Sequence, residues 1–189
     1  MKALTIIASL ALLVACDSSP TVEAENASVA EVAEKVRAAG GGDVTLRPGK
    51  WLTKVTLDEI TAPGMPAGMA DQMKVTIAGR PGGESCLTEA EVRKPNAGFF
   101  AGKNDNCRYD HYKMGGGKID AKMRCTAGGG TQTMVMSGDY GPEEYHMAMT
   151  TRMELGQAAA GAGMGSMAMK MRVEGKRIGD CGAGDAAKG

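Results

Sequence analysis

Aromatic side chains are scarce in this chain: one Trp, four Tyr and two Phe make up 4% of its 189 residues. A core with so few rings has to rely on Val, Ile, Leu and, above all, Met, of which there are 15. A surplus of one charge is also missing. Lys and Arg number 22 against 22 Asp and Glu, so nothing basic points to nucleic acid, and no acidic tail is present. Catalytic signatures are lacking as well: no G-x-S-x-G, H-E-x-x-H or P-loop occurs. Only two His are present, and no spacing ties either to a Ser or Cys nucleophile. No C-x-x-C pair occurs, which argues against a zinc ribbon and against a thioredoxin-like redox site. These absences set the expectation of a non-enzyme with no catalytic residues, no metal ligands and no cofactor.

The apolar run at the start, Leu4 to Val14 behind Lys2, is too short to cross a bilayer, which takes about 20 residues. It reads as a secretion signal over residues 1–15. Leu13-Val14-Ala15-Cys16 resembles the lipobox of bacterial lipoproteins. That resemblance implies cleavage before Cys16 and a diacylglycerol on its sulfur. Several acyl chains, at about 0.8 kcal/mol per buried CH2, make a stable anchor. The expected place is therefore the bacterial cell envelope, attached to a membrane through Cys16 and facing the periplasm. Asp17 resembles an inner-membrane retention mark of enteric bacteria, but that rule does not transfer between lineages, so the sequence leaves inner versus outer membrane undecided. Cleavage removes one charged side chain, Lys2, leaving 21 basic against 22 acidic residues.

What is present is glycine, 28 residues, about twice the usual share, and a change of period along the chain. Residues 16–26 are small and polar and read as a lipidated, flexible tether. Residues 27–42 hold a short helix, with Val29, Val32 and Val36 three and four apart, and a Gly linker. From Leu46 the apolar period becomes two. Trp51, Val55 and Leu57 share one strand face with Thr53. TAPGMPAGMADQM reads as a long loop and VTIAG, with Val75 and Ile77, as a strand. Thr88 with Glu91 resembles a capping box that opens a short helix. CRYDHYKMGGGKIDAKMRC reads as a hairpin around Gly115-Gly116-Gly117. Its second strand puts Ile119, Ala121, Met123 and Cys125 on one face and Lys118, Asp120, Lys122 and Arg124 on the other. A second hairpin turns near Gly141-Pro142, a last strand follows, and residues 182–189 read as a disordered tail. The charges of Asp105, Asp110, Glu143 and Glu144 read as solvated loop residues.

The methionines obey the strand period. Met167, Met169, Met171 and Val173 point one way; Met147, Met149 and Met153 form a second such row, and Met134 with Met136 a third. Val173 continues a Met row, so Met stands where aliphatic residues would, and its flexible thioether fills irregular gaps. Soft thioethers also suit Cu(I), but His146 has the opposite parity from Met147 and Met149, and His111 lies in another hairpin.

With Cys16 assigned to lipid, four cysteines remain in an oxidising compartment, and they allow three pairings. Cys107 and Cys125 lie nine residues either side of Gly116, so a turn centred there sets them face to face at disulfide reach. Cys86 with Cys181 then follows by elimination.

P-G-x-W at 48–51, S-C-L-T at 85–88, the N-C-x-Y/G-G-G-K-I/C hairpin, the G-x-Y turn and the final G-D-C together resemble the domain of unknown function 3617 family, over residues 46–181. The resemblance implies a secreted or lipidated envelope protein and no established activity, so no site residue carries over.

The fold expected from the strand pattern is all-β with minor helix. Six to eight antiparallel strands form a meander, as a strongly curved sheet or partly closed barrel, with one or two short helices. The 46–181 segment forms the β domain. The expected role is a lipid-anchored binding or structural module, with an envelope protein or a small apolar ligand as partner. The alternatives are a carrier holding an apolar molecule in a Met-lined cavity and a periplasmic Cu(I) protein using Met-x-Met pairs.

Overall fold

The computed structural model describes residues 21–39, 46–78, 83–89, 92, 106–127, 129–154, 156 and 165–182. In chain order these form β1 (Val22–Ser28), α1 (Val29–Ala38), β2 (Gly49–Thr61), α2 (Met69–Ala78), β3 (Gly83–Leu87), β4 (Cys107–Gly115), β5 (Lys118–Ala127), β6 (Gly130–Tyr140), β7 (Glu144–Glu154) and β8 (Ser166–Gly179). The eight strands make one sheet in the order β1-β4-β5-β6-β7-β8-β2-β3, and every neighbouring pair is antiparallel. The expected all-β meander is present. The sheet stays open, with β1 at one edge and β3 at the other.

Two segments differ from the sequence expectation. The tether expected over 16–26 gives way at Val22, where β1 pairs with β4. Its pattern was hidden because two of its three inward positions are Ala, and because Asn26 adopts φ 46°. This left-handed residue breaks the period of two, so Val22, Ala24 and then Ala27 are buried. The second correction is at 69–78, read as the end of a loop and a strand but helical as α2. The Val-Thr-Ile run is too short for an alternating pattern to be decisive. Met69, Ala70, Gln72, Met73 and Lys74 all favour a helix, and Thr76 turns its hydroxyl back to the Gln72 carbonyl at 2.8 Å. Val75 is 72% exposed, so no sheet face claims it.

Helix α1 forms as its valine spacing predicts. Ser28 accepts from the Glu31 N–H at 3.2 Å, and the Glu31 carboxylate accepts from the Ser28 N–H at 2.6 Å, which closes a capping box. Val29, Val32 and Val36 enter the same core cluster as Trp51 of β2 and Tyr109 of β4. The Lys35 ammonium donates to the Glu23 carbonyl at 3.0 Å, holding the helix against edge strand β1.

Hairpin β4–β5 turns on Gly116 and Gly117, with φ of 57° and 71°, the backbone that a two-residue turn of type I′ requires. A regular ladder from that turn would set Cys107 opposite Thr126. A bulge at Asp110 shifts the register by one and puts Cys107 opposite Cys125. The predicted pairing forms, but the bulge supplies the residue that the sequence reading had placed in the turn. A second bulge, at Asp58 of β2, keeps Leu57 and Ile60 on one face. Each bulge aspartate is held by basic side chains of the next strand, Asp58 by Arg172 and Asp110 by Lys122 and Arg124. Asp110 is thus a strand residue with two partners and not a loop charge.

Candidate functional site

Ten of the thirteen methionines among the described residues lie on one face of the sheet, the face that also carries Trp51 and the buried tyrosines. Cross-strand register arranges them in rows. One runs Ala24–Tyr112–Ala121–Met136–Met149–Met171–Leu57 from β1 to β2. The next runs Ala27–Tyr109–Met123–Met134–Thr151–Met169–Ile60. Beyond it Met153 stands opposite Met167.

These rows are not uniformly covered. Met114, Met123, Met136 and Met147 are buried, whereas Met134, Met149, Met153, Met167, Met169 and Met171 are half-buried. The open part lies over β7 and β8 and runs out to Val55 of β2, which is 40% exposed. Helix α1 packs on the same face, but over β1 and β4, toward the far end of the strand order. Sequence parity set Met123, Met134, Met136, Met147, Met149, Met153, Met167, Met169 and Met171 in the rows they take here, but left Met114 unassigned. It carried no signal for which stretch of the face is covered. At the centre of the open rows sits Thr151, 3% exposed.

The face is anchored by an aromatic knot at one rim. Trp51 stacks on Tyr145 with centroids 5.8 Å apart, and the indole N–H donates to the Arg47 carbonyl at 3.0 Å. Tyr145 lies flat over Gly175, where a Cβ would come within 2.1 Å of its ring. The Arg177 Nε–H donates to the Pro48 carbonyl at 2.8 Å, and Gly49, at φ 147°, leaves room for that guanidinium. Arg47 pairs with Glu143 at 2.6 Å, so Glu143 too has a fixed partner. The P-G-x-W stretch, the β6–β7 turn and the G-D-C end therefore meet in one structural knot. Deeper in the core, the Tyr112 hydroxyl donates to Met114 Sδ at 2.8 Å. Burial pushes the Tyr109 hydroxyl up to about 12 and raises Tyr112 further, so both stay neutral.

The groups that ionise gather on the opposite face. His111 bonds Asp120 at 2.7 Å, and His146 bonds Asp139 at 3.0 Å. The Asp139 hydrogen bond raises the His146 pKa. Arg172 grips Asp58 through both carboxylate oxygens and holds its pKa below the usual carboxylate range. Among the described residues, no group of three His, Cys, Asp or Glu is placed to hold a metal ion. Cys107 bonds Cys125 and Cys86 bonds Cys181, with Cα separations of 4.0 and 5.6 Å. Cys16, the signal segment 1–15, Asp105 and the rest of the expected helix after Thr88 lie outside the described residues, as do 183–189. No described helix is long and apolar enough to cross a membrane.

Chemically, the open methionine face offers soft, polarisable, uncharged contacts, with the Gln132 amide beside Met153 and the Thr151 side chain buried beneath. It brings no acid and base together. The sequence profile of a family described as Protein of unknown function (DUF3617) matches residues 46–181. No curated protein and no solved structure matches the chain.

Proposed function

The chain belongs to the DUF3617 family, whose description assigns no activity, and from that premise we propose that it is a non-enzymatic binding module of the bacterial cell envelope, held to a membrane by lipid on Cys16. The observation that carries this reading is the contiguous patch of half-buried Met134, Met149, Met153, Met167, Met169 and Met171. Unbranched thioether side chains adapt their shape to what they touch. A largely apolar surface with few polar side chains, Gln132 beside Met153 among them, suits a small apolar ligand. Cu(I) is the second ligand such sulfur would take, and the direct cross-strand pairs Met149–Met171 and Met153–Met167 favour it. With both His on the other face, that site would rest on thioethers alone.

From Cys16 to Val22 there are six residue steps, at most about 20 Å when fully extended. Lipid on Cys16 would therefore hold β1, an edge strand, close to the membrane. Native mass spectrometry of the protein extracted from its own envelope tests the proposal. The expected masses are those of an acylated chain starting at Cys16, with two disulfides and an apolar passenger. Replacing Met149, Met169 and Met171 by Gln should remove the passenger and leave the acyl mass. A passenger retained by that variant, or none in the wild type, would remove the ligand reading. Copper in the wild type, lost in the variant, would decide for the metal.

A further inference from the structure

Reducing side chains are few on the described surface. Cys86, Cys107, Cys125 and Cys181 are already in disulfides, and Trp51 is 2% exposed. Among the described residues, apart from the methionines of and around α2, the thioethers at the surface are those of the open face. They are also neighbours: Met149 faces Met171, Met153 faces Met167, and Met169 lies between Met167 and Met171 on β8.

We propose that Met134, Met149, Met153, Met167, Met169 and Met171 form an oxidation site on which hydrogen peroxide turns an apolar face polar. In each event a sulfur lone pair attacks one peroxide oxygen. The O–O bond breaks and an S=O bond forms; the sulfur is oxidised by two electrons and the peroxide leaves as water. One thioether and one hydrogen peroxide thus give one sulfoxide and one water. A sulfoxide is a polar, chiral group that a reductase of the methionine sulfoxide class can reverse. Buried under an apolar ligand it would lose its hydrogen bonds to water, so the oxidised face should release that ligand. The release half of this inference rests on the apolar-ligand reading above; the site itself does not.

The test uses the full-length protein and a time course in dilute hydrogen peroxide, read by peptide mass spectrometry. Met69 of α2, 43% exposed, serves as the internal clock. The six face methionines are expected to oxidise on the same timescale as Met69. Met114, Met123, Met136 and Met147 should lag by at least about tenfold, because a buried thioether reacts only when the sheet opens. Equal rates for all ten, or a lag of the six with the buried four, would overturn the site. The second readout is binding of a fluorescent long-chain fatty acid before and after peroxide. Wild type should lose affinity by at least about tenfold, as expected for a polar group forced against an apolar ligand. A variant with Met134, Met149, Met153, Met167, Met169 and Met171 all changed to Leu, which nearly conserves volume, should bind the probe equally before and after. Unchanged binding by oxidised wild type would overturn the release. If untreated wild type fails to bind the probe, the ligand reading falls, and the oxidation map alone decides the site.

Discussion

Tyr145 illustrates how much a single missing side chain decides here. Its ring occupies the space that a Cβ on Gly175 would take, stacks on Trp51, and brings its hydroxyl to 3.2 Å from that of Thr53. Gly175→Ala should therefore force the ring off its seat and cost about 1–3 kcal/mol, the usual range for overpacking. Urea unfolding of the variant against wild type measures it, and a change near zero would mean that the ring has another place to go. His146 gives a residue-scale prediction in pH. The Asp139 hydrogen bond, helped by the charges of Asp139, Glu144 and Glu174, raises its pKa above 6.5. A raised folded value means that the pair favours the fold below the unfolded pKa and that this contribution is lost as pH rises through the folded one. The titration of the His146 ring protons by NMR should show a midpoint above 6.5, and Asp139→Asn should lower it. The pair lies on the surface, so its effect on stability is small.

Strands and their crosslinks form the next scale. Cys107–Cys125 joins neighbours in one hairpin, with a separation of 18 residues, and Cys86–Cys181 spans 95. The longer bridge reaches over β2, tying edge strand β3 to the chain that leaves β8. Because a crosslink removes more freedom from the unfolded chain when its loop is longer, Cys86→Ala with Cys181→Ala should cost about 4–5 kcal/mol, and Cys107→Ala with Cys125→Ala about 3 kcal/mol. Urea unfolding of the two double variants measures the order. The reverse order would show that the buried hairpin bridge stabilises mainly through its packing. The bulges belong to this scale as well. Inserting Asp58 or Asp110 into a strict period of two would turn half a strand inside out. As bulges they leave the apolar rows aligned and place a carboxylate against the arginine of the adjacent strand.

In the whole molecule, the meander from β4 to β8 is extended by chain from the N-terminal side, β1 at one edge and β2 with β3 at the other. Much of this was legible beforehand. Alternation of charged and apolar residues from Lys118 to Cys125, and the methionine parity of β6, β7 and β8, fixed both strand type and facing, because a strand's side chains can only alternate. The glycines at 115–117 marked the hairpin, and the valine spacing marked α1. Local pattern failed where it was weak: alanines and a left-handed Asn26 hid β1, and three β-branched or apolar residues disguised α2 as a strand. The candidate site was legible by half. Its residues and their common face follow from the period of two. Their partial exposure does not, since cover depends on where distant elements pack, and only the tertiary structure places α1 over β1 and β4 and leaves the methionines of β7 and β8 half open.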